Sequence, residues 1–409
     1  MTSNTLIIRG GVVCDAATGE ARGADVLVHE GRVREVGSAL RAPDSADEID
    51  AAGRHLVPGL VDAHVHTTAA SADLGGVAEQ SPYYVAAHTS RILRRMLDRG
   101  FTTVRDVGGA DHGVAAAVAE GLWAGPRVVF GGKALSPTGG HADLRSAGRQ
   151  VLDDHACCPT VGLVCDGVSE VRRGARHQLR TGAHHIKLML SGGVASPTDR
   201  VDSLQFSAEE VRAAVEEAGN ANRYVTGHAY TAGAVNRALE LGVRCIEHGN
   251  LIDDSSVRGF VEHGAFLVPT LVTYEYLHRE GAAAGLPPAG QAKVGDVLDA
   301  GLHALELAWR GGVRLVFGTD LLGSMHSHQS EEFSIRGRVQ PAHEVLRSAT
   351  VTAAELLGRE GELGTIAPGA VADILLVDGD PLADAAVLAE PERHLRAVLQ
   401  GGAVVAGRP

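Results

Sequence analysis

The sequence predicts an α/β protein: a (β/α)8 TIM barrel carrying a small β-sandwich built from both chain ends. Three observations predict it. Through the middle of the 409-residue chain, short β-branched or apolar runs alternate with helical patterns, as βα units require. Both ends read instead as short strands joined by glycine turns, and neither is large enough to hold a core alone. Several of the central apolar runs close on a histidine, an aspartate or a lysine, and in a parallel barrel the strand ends form the rim where active sites are built.

The elements follow in chain order. TLIIRGGVVCD, ADVLVHEGRVREVG and EIDAAGRHLVPG give the strands of residues 1–57. The tail from 363 repeats the style in GTIAPGAVADILLVDGDP and RAVLQGGAVVAG. Residues 1–57 and 363–409 are expected to meet in one composite β-sandwich domain, leaving 58–362 for the barrel. Barrel strands are predicted at 60–65, 101–107, 127–132, 185–190, 223–228, 243–247, 265–270 and 313–318. Helical patterns cover 207–221, 231–241 and 340–357; the first opens with Ser207 and carries Glu210 three residues later, a capping box. GAAAGLPPAGQ at 281–291 is the expected mobile surface loop. Periodicity alone does not separate this barrel from a doubly wound sheet.

Composition narrows the function classes. Hydrophobic residues make up 44%, enough for a large core, while aromatics are only 4% and glycine numbers 52. The net charge of −13 argues against a nucleic-acid surface. The five cysteines, Cys14, Cys157, Cys158, Cys165 and Cys245, are odd in number and lack a C-x-x-C, which favours free thiols over a disulfide scaffold or a structural zinc. The start MTSNTLIIRGG lacks the basic and apolar regions of a secretory leader, and no apolar run reaches about 18 residues. The expected partner is a small-molecule substrate, with no nucleic acid or membrane, and a cytoplasmic location follows by default.

Six residues carry the chemistry. His64 and His66 end GLVDAHVH, Lys187 lies in HHIKLMLSGG, His228 in YVTGHAY, His248 in CIEHGN and Asp320 in LVFGTD. Strand alternation turns His64 and His66 to one face, where both can bind one metal, and imidazole suits zinc and other borderline divalent ions. A lone H-x-H is as readily a core pair; the other four residues favour the metal. An ammonium cannot be a ligand, but a lysine buried near two cations is driven toward the neutral amine. That amine can add carbon dioxide, and the resulting carbamate can bridge two metals. The alternative for Lys187 is a barrel lysine in a salt bridge. Together the six describe a two-metal hydrolytic centre.

The segments GLVDAHVH, TTVRDVGG, SPTGGHADL, HIKLMLSGGVASPTDRVDSLQFS, GHAYTAGAVNRALELGVRCIEHGNLID, VPTLVTYEYL, FGTDLLGSMHSHQSEEF and GTIAPGAVADILLVDGDPL span essentially the whole chain. Through them the sequence resembles the metal-dependent amidohydrolase superfamily. Within it, the chain resembles the binuclear Xaa-Pro and Xaa-Arg dipeptidase-like group, which includes prolidases and ochratoxin-type amidases. The resemblance implies that His64, His66 and Asp320 hold one metal and His228 and His248 the second, with carboxylated Lys187 between them. Two divalent ions are implied, zinc by default, although the same ligands accept manganese or cobalt.

It also implies the reaction. Two metals lower the pKa of a shared water, hydroxide attacks an amide carbonyl, and Asp320 serves as general base and then acid. His141, in TGGHAD, is an expected donor to the carbonyl oxygen; many members read GGHGD where this chain has Ala142. A loop-stabilising histidine is the alternative for His141. Tyr230, two residues after His228, is a second expected donor, with aromatic packing as its alternative. His326 in GSMHSHQ is a candidate pocket residue. Arg200 in SPTDRVD is a candidate for the substrate carboxylate, or an ion pair with Asp199 or Asp202. His185 is expected as a packed histidine one layer below Lys187, and Asp106 as the carboxylate that orients a ligand imidazole. The family tends toward homo-oligomers.

The expected substrate is a dipeptide of Xaa-Pro or Xaa-Arg/Lys type, or an N-acyl amino acid. A basic preference requires an acidic wall, for which Asp202, Glu275, Glu331 and Glu332 are candidates. An aryl amide, carbamate or urea offers the same carbonyl and amine and is the alternative. A mononuclear deaminase is disfavoured because Thr231 stands where such enzymes often carry glutamate. An inactive scaffold is disfavoured because all six ligand positions are filled.

Overall fold

The computed structural model describes residues 5–151 and 159–409. Cys157 and Cys158 lie outside the described residues; Cys14, Cys165 and Cys245 are buried free thiols. No described helix is long and apolar enough to cross a membrane. The chain divides into two compact units.

One unit comprises Met1–Asp62, Arg94–Thr103 and Ser330–Pro409. Its eight strands are hydrogen-bonded into one mixed sheet. Thr5–Asp15 pairs antiparallel with Glu20–His29 and parallel with Asp47–Asp50 and His55–Pro58. His55–Pro58 then pairs antiparallel with Ile374–Val377, Leu56 opposite Leu376, so the two ends of the sequence share one ladder. Every second residue is an interior aliphatic, as in Leu6 and Ile8, Val26 and Val28, Ile374 and Leu376. Residues 330–362 group with the terminal segments in this division, Glu331–Gly337 packing on Ala386–Ala389.

The helix expected over 340–357 is two helices, Ala342–Ser348 and Val351–Leu357. Thr350 breaks it with a backbone at φ −134°, its hydroxyl turned back onto the Leu346 carbonyl. A β-branched run, Thr350-Val351-Thr352, holds χ1 too stiffly to favour an unbroken helix there.

The other unit, Ala63–Leu93 with Val104–Gln329, holds the metal-competent residues. Its strands Arg127–Phe130, His185–Met189, Tyr224–Thr231, Cys245–Leu251, Phe266–Val268 and Arg314–Leu315 are joined by the last residues of Leu60–Val65 and Phe101–Asp106, and the five from His185–Met189 onward pair in parallel. The ring closes where Ala63 N–H donates to the Phe317 carbonyl at 2.9 Å, and continues where His184 N–H donates to Phe130 at 2.8 Å. Ala134–Ser136 and Gly162–Val164 add a short parallel pair beside His185–Met189. Phe266–Val268 is buried on both faces and is apolar throughout, whereas His185–Met189, equally buried, carries His185 and Lys187 inside.

Helix Ala208–Asn220 starts with the expected capping box between Ser207 and Glu210. The segment expected as a loop at 281–291 is shorter than predicted. Helix Pro288–Arg310 begins inside it, because Pro288 takes the first helical position, where its missing N–H costs nothing.

Candidate metal centre

The strand ends bring the six predicted ligand positions together, and each is buried or nearly so. His64 Nε2 and His66 Nε2 both lie 3.2 Å from Asp320 Oδ1. Their ligand atoms fall within 4.8 Å of one another, a group that can hold one ion. The His228 and His248 rings stand 4.5 Å apart, and His248 lies 5.0 Å from His64.

Each imidazole has one nitrogen committed to the protein. His64 Nδ1 pairs with Glu247 Oε2 at 2.7 Å, His66 Nδ1 with the Gly108 carbonyl at 2.7 Å, and His248 Nδ1 with Thr270 Oγ1 at 2.8 Å. For His228 it is Nε2, 3.1 Å from the Gly192 carbonyl. This leaves one nitrogen per ring for a metal, the arrangement that fixes tautomer and direction. Burial holds His228 and His248 well below the usual histidine value, so both offer a lone pair at neutral pH. Asp320 is the opposite case: burial opposes its charge, but His64 and His66 outweigh it and keep the carboxylate ionised.

Lys187 lies in the same interior. Its Nζ is buried and has no hydrogen-bond partner. Burial lowers its pKa to about 8, the carboxylates of Glu247 and Asp320 pulling the other way. Among the described residues Lys187 forms no salt bridge. A buried amine without a partner beside four imidazoles and a carboxylate fits the carbamate chemistry better than a structural cation. The donor set of this site therefore fits divalent metal ions.

Asp320, His248 and Thr270 adopt positive φ, at 55°, 76° and 47°. For non-glycine residues this conformation costs about 1–3 kcal/mol each and marks functional sites.

Two residues were not foreseen in their roles. Glu247 is fully buried between His64 Nδ1 and Arg105 Nη2, at 2.7 Å from each, with the Thr226 hydroxyl against it. Arg105, His64 and Lys187 together overcome burial and hold Glu247 well below the usual carboxylate range. Asp106 does not orient a ligand imidazole. Its carboxylate accepts from the N–H groups of Thr67, Gly108 and Ala110, so it shapes the loop instead. Glu247→Gln should weaken metal affinity about 10–100-fold, read by competition with a chelator. The stability Glu247 contributes is complete above the unfolded glutamate value of about 4.3 and lost as pH falls through its lower folded value. The same variant should flatten the acid limb of Tm against pH.

A cavity opens over the His66–Asp320 side, lined also by His141, Tyr230, Tyr274 and the aliphatics Leu74, Val161, Met189, Val194, Leu277 and Leu322. His141 stacks on His228 at 4.2 Å, and burial drops its pKa to about 4. The Tyr274 hydroxyl donates to that of Tyr230 at 3.1 Å, and burial raises the Tyr230 phenol. His326 is buried in the short turn Gly323–His328 and is not among the cavity's lining residues. Arg200 is exposed and pairs with Asp202 at 2.9 Å, the ion-pair alternative, and does not line the cavity. His185 is fully buried and stacked on Tyr224, as expected of a packed histidine.

Against known proteins, an amidohydrolase family model matches residues 55–405. The chain belongs to the amidohydrolase family. It is a hydrolase acting on carbon–nitrogen bonds. This amidohydrolase is 32% identical to the ochratoxinase of Aspergillus niger over 367 residues, 86% of this chain and 76% of the relative. A crystal structure of a prolidase complexed with N-methylphosphonate-L-proline matches with a TM-score of 0.96 at 45% identity, covering 99% of this chain and 100% of the other. A Xaa-Pro dipeptidase with bound methionine matches with a TM-score of 0.86 at 28% identity, covering 98% and 99%.

Proposed function

We propose that this amidohydrolase uses two divalent metal ions to cleave a dipeptide or N-acyl amino acid whose leaving residue is compact and apolar, with Xaa-Pro as the first candidate. The cavity lining carries the choice. Among the described residues, its lining holds no acid apart from Asp320 and no lysine or arginine. Asp202 is spent on Arg200 and Glu275 on Arg279, and neither lines the cavity; nor do Glu331 and Glu332. A basic leaving residue would therefore be buried without a counter-charge, which costs several kcal/mol. The cavity volume is about 50 Å³, far below the ~300 Å³ at which sites for drug-sized ligands begin. Of the leaving groups considered, a residue the size of proline demands the least rearrangement.

The residues take these roles. His64, His66 and Asp320 would hold one ion, His228 and His248 the other, with Lys187 as a carbamate between them. The ions, when bound, supply a water of lowered pKa and polarise the substrate carbonyl. Asp320, ionised and partly buried, accepts the proton of the attacking water and returns it to the leaving nitrogen. Tyr230 donates its hydroxyl hydrogen to the carbonyl oxygen, and His141 accepts from a substrate N–H beside it. Leu74, Val161, Leu277 and Leu322 keep bulk water from the reacting bond.

A panel of dipeptides, N-acyl amino acids and aryl amides, assayed for released amine with metal supplied, tests this reading. Turnover should be highest for apolar C-terminal residues and at least about tenfold lower for Xaa-Arg and Xaa-Lys. Turnover confined to aryl amides, carbamates or ureas would keep the chemistry and overturn the substrate; the ochratoxinase similarity favours that second reading.

A further inference from the structure

His141 does not rest on its own loop alone. Its Nδ1 lies 2.8 Å from Ser196 Oγ, in the segment after strand His185–Met189. Ser196 Oγ in turn contacts Asp199 Oδ1 and lies 3.1 Å from the Gly193 carbonyl. Asp199 is surrounded by donors: Gly193 N–H at 3.2 Å and Gln205 Nε2 at 3.0 Å on one oxygen, Lys293 Nζ at 3.2 Å on the other. Lys293 also donates to the carbonyls of Gly193 and Ser196, each at 2.9 Å, and so pins both ends of the turn. Gln205 completes the frame by accepting from the His141 backbone N–H at 2.9 Å. Gly193 is part of the same fit. A Cβ there would stand 2.0–2.4 Å from three atoms of the His141 ring, so no other residue lets the ring lie where it does.

The direction of each hydrogen follows from this census. A serine hydroxyl has one hydrogen. The other two groups around Ser196 Oγ, the Asp199 carboxylate and the Gly193 carbonyl, are both pure acceptors. Whichever takes the hydrogen, it points away from His141, and a Ser196 lone pair faces Nδ1. His141 must then be the donor, with its proton on Nδ1.

We infer that Ser196 and Asp199, clamped by Lys293, are positioning residues that fix the tautomer and orientation of His141, so that an unprotonated Nε2 meets the substrate as a hydrogen-bond acceptor and not as the carbonyl-oxygen donor expected from the sequence. The logic is that of a carboxylate holding a catalytic imidazole in one tautomer, here through an intervening hydroxyl. The catalytic consequence rests on the proposed contact between His141 and the substrate; the tautomer itself does not.

The test separates the two. Protein carrying 15N-labelled histidine is observed by NMR, with His141→Ala identifying the His141 ring signals. The wild type should show a protonated Nδ1 and an unprotonated Nε2. Ser196→Ala should mix or reverse the two. A wild-type ring protonated on Nε2 alone, or a Ser196→Ala spectrum unchanged from wild type, overturns the inference without any substrate. In the assay, Ser196→Ala should lower kcat at least about tenfold, with KM within about twofold and metal content unchanged. Asp199→Asn, which keeps the shape but brings an amide among donors, should act the same way. A Ser196→Ala enzyme with native kcat, when His141→Ala is impaired, would overturn the positioning role. If His141→Ala itself has native kcat, the proposed substrate contact fails while the tautomer still stands on the spectrum.

Discussion

Asp320→Asn should lower kcat by about three orders of magnitude while leaving metal bound to the protein. Asp320 Oδ1 sits between two imidazole nitrogens, 3.2 Å from each, and His64 and His66 keep the partly buried carboxylate ionised. Asparagine keeps the size and one oxygen, so the positive-φ backbone and part of the metal affinity survive. It cannot accept the proton of the attacking water or deliver one to the leaving nitrogen. Elemental analysis of the variant beside steady-state kinetics checks both halves. Near-native kcat would remove Asp320 from the proton path, and loss of all metal would make it a ligand first.

Lys187→Ala should cost the second largest share of activity and, with it, metal. The native amine is buried, without a hydrogen-bond partner and near a pKa of about 8. An ordinary structural lysine gains nothing from that position, since a buried charge without a partner costs several kcal/mol. A carbamate between two ions, as proposed, would repay the burial. The alanine variant leaves a gap of the size of a small carboxylate, so acetate or propionate should restore part of the turnover and of the bound metal. A variant that keeps full metal and activity without such an acid would contradict the bridging role.

Much of this centre is legible in the sequence because a parallel barrel places every strand end at one rim. His64, His66, His228, His248 and Asp320 could be found as the last polar residues of apolar runs. Glu247 could not. It immediately precedes His248, and strict alternation assigns neighbours to opposite faces. The positive φ of His248 breaks that alternation, and both side chains reach the same interior. The available signal was a carboxylate inside the apolar run CIEHGN. Asp106 misleads in the reverse sense: its strand position is right for a ligand partner, but nearby backbone N–H groups take up its oxygens. Arg200 and the four candidate acids lie in loops and helices, where sequence order carries no face. Only their ion pairs and the cavity lining show where they lie, and none of them lines the cavity.

Two ions acting together on a compact apolar dipeptide would make activity depend on both. Metal-stripped protein titrated with zinc, with release of proline from an Ala-Pro dipeptide followed at each step, tests it most directly. Activity should climb steeply with the second equivalent and level off when two ions are bound per chain. Full activity at one equivalent, or none with both ions bound, would contradict it.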